Sequence, residues 1–289
     1  MKEELKTAVR RVGNLLVDGE VQRRIVYHEI ETVKLLAHVA RDLHVATHAT
    51  DPRGLLRFGY KGYSQGDEDG IIDEIFRRIG TASRYFVEFG AGAGLENNTA
   101  ALLLAGWRGA WLEGHEGNVG AIRAAFAHDL ATERIALRQS FITAENIEAL
   151  LAELGVPDEP DLLSIDLDFN DYWVWRAIVR WRPRVVVIEY NASYGRSARC
   201  VVPYRPDSMW DGSSYYGASL GALEQLGREK GYALVGCCFQ GTNAFFVRDD
   251  LLGDHFEPPF TSVHHYQPAR YSYSLLQAHP PGWGELQQL

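Results

Sequence analysis

Cysteine is scarce in this chain, and long apolar runs are absent. Three cysteines in 289 residues, Cys200, Cys237 and Cys238, are too few for a disulfide framework. No Cys-x-x-Cys pair suggests zinc, so we expect buried thiols in a reducing compartment. No window approaches the roughly 18 apolar residues of a membrane span, and the first residues form no apolar signal segment. We therefore expect a cytoplasmic protein with no membrane partner.

Positive charge is also in short supply. The chain has 29 Lys plus Arg against 38 Asp plus Glu, a formal net charge of −9. A protein that binds duplex nucleic acid normally presents a basic face, so nucleic acid is not expected as a partner. Hydrophobic residues make up 46% of the chain, which is ordinary for a globular protein and excludes a disordered or collagen-like one.

Apolar strand-like runs alternate with amphipathic helix-like runs in the middle of the chain. The strand-like runs are 84–90, 109–113, 134–139, 161–168 and 184–190. The helix-like runs between them are 97–105, 117–130, 144–154 and 171–180. This alternation predicts an α/β fold with a parallel sheet covered on both faces. A helix at 218–230 and two late strands at 232–239 and 244–248 follow, and the short link between these strands favours an antiparallel pair.

Three segments are expected along the chain. Residues 1–55 carry apolar residues at helical spacing and are predicted to be a helical N-terminal extension. Residues 56–250 hold the predicted sheet, and the proline-rich residues 251–289 are expected to be an irregular C-terminal wrap. The extension is either a solvated helical surface or the contact through which the chain forms a homo-oligomer.

The sharpest motif is Glu88-Phe89-Gly90-Ala91-Gly92-Ala93-Gly94, which follows a strand-like run and opens a helix-like one. Alternating glycines let the backbone approach a ligand where a Cβ atom would clash. The dinucleotide fingerprint fails because Leu95 and Asn97 stand where its third glycine is needed. The phosphate-binding loop fails because no Gly-Lys-Ser/Thr follows. The pattern Glu-x-Gly-x-Gly-x-Gly instead matches the first motif of class I S-adenosylmethionine (SAM) methyltransferases.

Polar residues close the next two strands. Glu113 ends the second strand, where an acid can accept hydrogen bonds from both ribose hydroxyls of a nucleoside. Ser140 and Phe141 follow the third strand, where this fold usually frames the adenine; an ordinary loop is the alternative. Together with the glycine loop, Glu113 favours a nucleoside cofactor held by one βαβ unit.

On these residues the chain resembles the FkbM-like branch of SAM-dependent methyltransferases, especially bacterial members that act on sugars and natural products. The resemblance covers residues 60–250. The matching stretches are Tyr63-Ser64-Gln65, Glu68-Asp69, Phe86 to Thr99, Gly106-Trp107, Trp111 to Gly114, Ser164 to Asp168, Asn170-Asp171-Tyr172, Val187 to Asn191 and Tyr216 to Leu220. Phe169 departs from the family pattern, where glycine is expected, and this could change the floor of the site or the fit of the acceptor.

The resemblance implies a Rossmann-like class I methyltransferase fold, in which a seven-stranded, mostly parallel sheet has the order 3-2-1-4-5-7-6. It also implies SAM as cofactor, with Gln65 folding over it, Glu88 reaching its aminoacyl end indirectly and the glycine loop approaching its nucleoside. Motifs and resemblance together give the predicted cofactor-binding residues: Gln65, Glu88, Gly90, Gly92, Gly94, Asn98, Thr99, Glu113, Ser140, Phe141 and Asp166. The acceptor is expected to be a small molecule, through a hydroxyl of a sugar, glycoside or other natural product.

Four oxygen-bearing side chains end the fourth and fifth predicted strands: Asp166, Asp168, Glu189 and Asn191. Within each strand the two are two residues apart and point to one side, and ligands of open α/β sheets bind outside these carboxyl ends. Three alternatives stay open. All four residues hold Mg²⁺ or a similar cation; Asp168 or Glu189 acts as a metal-free catalytic base; or the group only holds the SAM amino group and orients loops.

The loop 192–216 is rich in aromatic residues and arginines, which suits a sugar or an aromatic polyol and indicates an acceptor lid. His264 and His265 in the tail are expected either at surface and capping positions or as a base that reaches the site. Two functions of other classes also stay open: a nicotinamide-dependent oxidoreductase and a SAM-binding protein without catalysis.

Overall fold

The computed structural model describes residue 32 and residues 35–47, 51–271 and 279–289. Seven strands form its central sheet: β1 (Tyr85–Phe89), β2 (Arg108–Glu113), β3 (Ile135–Gln139), β4 (Leu162–Ile165), β5 (Val185–Glu189), β7 (Tyr232–Cys237) and β8 (Asn243–Arg248). Their order is β3-β2-β1-β4-β5-β8-β7. The first five pair in parallel, and β8 runs antiparallel to both β5 and β7.

This arrangement is the predicted Rossmann-like class I methyltransferase fold. The strand expected at 244–248 lies beside β5 and pairs antiparallel with it. The strand numbers differ from the prediction because a two-residue strand, β6 (Cys200–Val201), precedes β7 and pairs with β9 (Gln287–Gln288) in a separate small sheet.

Eight α-helices are described: α1 (Glu68–Ile79), α2 (Ala100–Leu104), α3 (Glu116–Ala125), α4 (Ala127–Ala131), α5 (Ile147–Glu153), α6 (Asp171–Ala177), α7 (Leu220–Glu229) and α8 (Ser262–His265); residues 35–47 are helical as well. The prediction of one helix over 117–130 was wrong, because the helix is interrupted at Phe126. This residue leaves the helical conformation, at φ −113° and ψ 28°, and its ring packs edge-on against Trp111 at 4.9 Å.

The sheet is buried on both faces, as the apolar strands predict. In β1, Phe86 belongs to one apolar cluster and Val87 to the other, since neighbouring strand residues point to opposite faces. One cluster includes Trp175 of α6 and Leu223 of α7. The other contains Ile71, Leu103 and Ile122, from α1, α2 and α3. Both layers leave the carboxyl ends of the strands clear for a site.

Several expectations concern the chain ends and the thiols. The three cysteines are free and buried, as expected. Residues 1–31 of the predicted extension lie outside the described residues, and the domain boundaries and the homo-oligomer stay predictions. Within the described ranges, no helix combines the length and the apolar character that crossing a bilayer requires.

Asp161, just before β4, joins three strand beginnings. Its carboxylate is fully buried and accepts hydrogen bonds from the backbone amides of Ala82, Ser83 and Arg84, ahead of β1. Arg184, ahead of β5, lies 2.9 Å from the same carboxylate. The starting positions of β1, β4 and β5 therefore depend on one buried acid.

We expect Asp161→Ala to lower the free energy of unfolding by about 3–5 kcal/mol, because it leaves a buried cation and several amides without their acceptor. Urea unfolding measures the effect. Asp158→Ala is the matched control, since its ion pair with Arg180 is mostly exposed and should contribute about 0–1 kcal/mol. Equal effects of the two substitutions would contradict this role of Asp161.

Candidate functional site

The glycine loop is pressed against the end of β4. Gly90 has φ +71°, and a Cβ atom there would lie 1.9 Å from the carbonyl oxygen of Asp166. Only glycine satisfies both conditions. Gly92 also has a positive φ, +55°, but a Cβ atom there would meet nothing within 4 Å, because the space beside it is open. The loop thus closes against β4 at Gly90 and faces a cavity at Gly92.

Glu88, in β1, binds the two residues that end the segment after the glycine loop, Asn98 and Thr99. Its buried carboxylate accepts hydrogen bonds from the amide of Asn98 at 2.9 Å and the hydroxyl of Thr99 at 2.5 Å. Trp111 in turn donates its indole proton to the Thr99 oxygen at 2.8 Å. Burial raises the pKa of Glu88 to about 7, although these hydrogen bonds oppose the shift. Glu88, Asn98 and Thr99 therefore shape the loop and do not line the cavity.

Glu113 connects the glycine loop to the end of β2. It accepts hydrogen bonds from the amide of Gly92 at 2.8 Å and from the amide of His115 at 2.7 Å. Its carboxylate lies at the cavity wall, as predicted for a ribose partner. Each carboxylate oxygen can accept a second hydrogen bond, so both remain able to bind ligand hydroxyls.

Acidic residues at the beginning of α1 hold Gln65 over the cavity. One carboxylate oxygen of Asp69 accepts hydrogen bonds from the amides of Gly62, Tyr63 and Ser64, at 2.6–2.8 Å. Glu68 accepts one from the amide of Gly66 at 2.7 Å. The segment that precedes α1 is thereby curled so that Gln65 lines the cavity.

A cavity of about 420 Å³ lies at this edge of the sheet, within the size range of small-molecule sites. Its walls include eight predicted residues: Gln65, Gly90, Gly92, Glu113, Ser140, Phe141, Asp166 and Asp168. Six predicted residues are not among its walls: Glu88, Gly94, Asn98, Thr99, Glu189 and Asn191. No lysine or arginine lines it within the described part of the chain, so its charge is acidic.

Three carboxylates meet beside the cavity. Asp166, Asp168 and Glu189 each bring an oxygen within 4.8 Å of the others. Asp168 has φ +60°, a strained value for a residue with a side chain, and this conformation presents it to solvent. One Glu189 oxygen is buried and has no hydrogen-bond partner.

The protonation of this group is strongly perturbed. Burial raises the pKa of Asp166 and of Glu189 well above ordinary values, and the negative charges of the neighbouring acids add to the shift. Although Asp168 is exposed as a whole residue, the protein around its carboxyl group displaces water and so raises its pKa, and the charge of Glu113 adds to this shift. Like charges at this separation cannot all be ionised without a cation nearby, so the group accommodates either protons or positive charge.

Asn191, which was predicted as a metal ligand, makes three hydrogen bonds to backbone groups. Its amide nitrogen donates to the carbonyl oxygens of Ser214 and Tyr216, and its amide oxygen accepts from the amide of Ser193. It is 1% exposed. Because its polar atoms already bind backbone, we leave it out of the proposed metal ligands. It ties the end of β5 to the predicted acceptor lid.

Part of the lid closes one wall of the cavity, through Pro206, Ser208, Met209 and Trp210. Phe169, the departure from the family pattern, is buried beneath the lid, where its ring packs edge-on against Tyr215 at 6.2 Å. It thus anchors the lid and does not form the cavity floor.

Neither tail histidine considered from the sequence lines this cavity. His264 pairs with Glu257 at 3.1 Å, and His265 is buried beside it. A third tail histidine, His279, packs against Trp210 at 4.6 Å. The tail therefore meets the lid at a residue that the sequence analysis did not single out.

Sequence reasoning also missed Asp171 and several wall residues. Asp171 is fully buried beneath the β4 loop, where it accepts a hydrogen bond from the amide of Leu167 at 2.8 Å. Burial raises its pKa to about 7, and its charge acts on Asp166 and Glu189. The missed walls include His115 and Asn118. The available signal was their position within five residues of the end of β2.

Comparison with known proteins gives only weak likenesses to solved structures, and these carry no argument about fold or activity. No family model and no curated protein matches the chain. Three of the solved structures that match are the mitomycin 7-O-methyltransferase MmcR, the pyocyanin biosynthetic protein PhzM and the CcbJ methyltransferase from Streptomyces caelestis. They are 18%, 20% and 15% identical and cover 61%, 61% and 65% of this chain, with TM-scores of 0.35, 0.37 and 0.41.

The matched parts make up 53%, 54% and 93% of those three proteins, so the chain spans about half the length of the first two. Likeness at this level carries no argument about activity. The fold assignment rests on the strand order itself.

The raised pKa of Glu88 predicts a pH dependence. Between about pH 4.5 and 7 the folded protein keeps a proton that the unfolded chain has released, so stability falls as pH rises through this window. Glu88→Gln mimics the protonated acid. We expect it to remove about 1.4 kcal/mol per pH unit from this slope. Urea unfolding at about pH 5, 6 and 7 measures the difference.

Glu96→Gln is the control, because Glu96 lies in the same loop but its side chain is 62% exposed. It should leave the slope unchanged. A Glu88→Gln protein with the slope of the unsubstituted protein would show that Glu88 is already ionised throughout this range.

Proposed function

We propose that this chain is a SAM-dependent methyltransferase that methylates a hydroxyl of a sugar, a glycoside or another small natural product. One observation carries the proposal: a single cavity joins the glycine loop after β1, Glu113 at the end of β2, Ser140 and Phe141 after β3, and the acids after β4. This succession suits the methionine part, the ribose and the adenine of one nucleoside cofactor.

The charge of the cavity supports SAM over a nicotinamide dinucleotide. SAM carries a sulfonium charge, which acidic walls attract, whereas a pyrophosphate requires cations or a helix N-terminus. The walls contain Glu113, Asp166 and Asp168 and, among the described residues, no lysine or arginine. The glycine loop also does not lead directly into a helix, since α2 begins only at Ala100.

The proposed chemistry is an in-line displacement. SAM supplies a methyl group on a good leaving group, so the protein mainly has to position the acceptor oxygen behind that carbon. The new carbon–oxygen bond forms as the carbon–sulfur bond breaks, and the hydroxyl proton must leave. Asp168 or Glu189 would accept it, and because burial raises the pKa of both, each is a stronger base than an ordinary exposed carboxylate.

The carboxylates also fit a hard divalent cation such as Mg²⁺. Asp166, Asp168 and Glu189 offer three oxygens within 4.8 Å of one another, and the unpartnered Glu189 oxygen is a suitable ligand atom. Such a cation would supply stabilisation of an acceptor alkoxide. Mg²⁺ assistance therefore belongs to the proposal alongside the carboxylate base.

Titration calorimetry tests the cofactor. We expect SAM and its demethylated product to bind and NAD not to bind. Glu113→Ala should weaken SAM binding about 10–100-fold, because hydrogen bonds to a charged acceptor contribute about 1.5–3 kcal/mol. Glu116→Ala, at an exposed position three residues later, should change nothing.

NAD binding without SAM binding would contradict the proposal. SAM binding that neither Glu113→Ala nor Glu116→Ala alters would mean that the ribose lies elsewhere. SAM binding with no turnover on any hydroxylated acceptor would favour the SAM-binding protein without catalysis.

Chelation separates the two versions of the mechanism. If a cation participates, EDTA should abolish turnover while SAM still binds, and added Mg²⁺ should restore it. If a carboxylate acts alone, EDTA should have no effect, and Asp168→Asn should lower the rate about 10²–10⁴-fold. Full activity of both Asp168→Asn and Glu189→Gln would contradict the proposed site in either version.

A further inference from the structure

A second and larger cavity, of about 580 Å³, lies beside the edge strand β7. Its walls include Leu55, Val235 and Gly236 as apolar members. Two of its walls are positively charged: Arg196, from the loop after β5, and Arg270, from the tail. An apolar surface with a few convergent polar groups is the usual composition of a small-molecule site.

This cavity is distinct from the proposed methyl-transfer site. The two share no wall residue. In the sheet order, β7 is four strands away from β1, which carries the glycine loop, and two strands away from β5, which carries Glu189; at about 4.8 Å per strand these separations are about 19 and 10 Å. The second cavity is therefore neither the SAM site nor an extension of it.

Its charge is opposite to that of the first cavity. Glu257 is the one acid among its described walls, and it pairs with His264 at 3.1 Å. Arg196 makes no ion pair or hydrogen bond with any residue in the described ranges. Arg270 is held in place, since its guanidinium lies 4.0 Å from the Phe239 ring centre and donates to Gln267 at 3.0 Å. Two cations thus border an apolar space in a chain of net charge −9.

His265 adds an unsatisfied hydrogen-bonding group. It lines the cavity, is 9% exposed, and its Nε2 atom is buried without a partner. Burial, followed by the charge of His264, lowers the pKa of His265 to about 3, so the ring is neutral. Nε2 is therefore a buried polar atom that needs a hydrogen-bond partner, and a hydroxyl group can either donate to it or accept from it.

We propose that this second cavity binds an organic carboxylate that has an apolar body and a hydroxyl group. The carboxylate would lie between Arg196 and Arg270, the apolar body against Leu55 and Val235, and the hydroxyl would form a hydrogen bond with Nε2 of His265. Each part of this ligand matches one described feature: the two cations, the apolar wall and the unpartnered ring nitrogen.

The test uses 4-hydroxybenzoate, with benzoate and phenol as probes that lack the hydroxyl or the carboxylate. Ligand-observed NMR titration of the full chain near neutral pH gives the dissociation constants. For a probe of about ten heavy atoms we expect millimolar binding of 4-hydroxybenzoate. Benzoate should bind about 3–10-fold more weakly, which is the contribution of one hydrogen bond. Phenol, without the carboxylate, should bind more weakly still.

Arg196→Gln should weaken 4-hydroxybenzoate at least about 5-fold, the effect of a lost charge-assisted hydrogen bond. Arg196 is exposed, so this variant should fold. Arg138→Gln is the matched control, because Arg138 is a half-exposed arginine on β3, at the far edge of the sheet. It should bind like the unsubstituted protein. An excess of SAM should not displace the probe, which keeps this result separate from the first site.

Three outcomes would overturn the proposal. One is the absence of 4-hydroxybenzoate binding at millimolar concentration. Another is equal binding of benzoate and 4-hydroxybenzoate, which would remove the role of His265. The third is equal loss of binding in Arg196→Gln and Arg138→Gln, which would show that the probe associates through general charge and not in this cavity.

Discussion

The contact between Gly90 and the carbonyl group of Asp166 governs the geometry of the first site. No side chain fits between them, so the loop after β1 and the loop after β4 touch directly. The amide of Gly90 also donates to the carbonyl of Leu112 in β2, at 2.9 Å. Backbone contacts thereby join the ends of β1, β2 and β4. The side chains at these strand ends are held more rigidly than they would be on loops that touch only through side chains.

Buried acids have two different roles in this protein. Asp161 and Glu88 accept amide or hydroxyl protons on both carboxylate oxygens, and each connects a loop to a helix or strand. Glu189 instead keeps a buried oxygen without a partner and lies beside other acids. A buried carboxylate whose hydrogen bonds are satisfied organises the fold. Asp69 and Asp171 also have one buried oxygen without a partner, so Glu189 is distinguished by its place in the cluster of three acids, where it can take a proton or a metal ion.

The lid lines the first cavity, and the tail holds the lid in place. Asn191 fixes the lid to β5, and Tyr215 donates to the backbone of Glu285 at 2.6 Å. The pairing of β6 with β9 adds a further link between lid and tail. The tail that follows β8 also contributes to the second cavity, through Arg270 and the histidines of α8. One irregular segment thus contacts the lid of the acidic cavity and lines the basic one.

Much of the fold was predictable from local pattern. Continuous apolar strands between amphipathic helices indicated the parallel sheet, and the short link between β7 and β8 indicated their antiparallel pairing. The glycine loop, Glu113 and the residues after β3 and β4 were also predictable as one site. They directly follow strands, and the carboxyl ends of parallel strands share one edge.

The sequence alone therefore determined the sheet, its edge and the residue types gathered there. Only the tertiary structure decided how deeply each of these side chains is buried and which hydrogen bonds it makes. Glu189 and Asn191 are two residues apart. Glu189 has a buried oxygen without a partner, whereas the side-chain amide of Asn191 donates hydrogen bonds to the backbone of the lid. Phe169 became an anchor of that lid, and the second cavity joined residues from 44 to 270. Burial and hydrogen-bond partners come from segments far away along the chain, so no local pattern contains them.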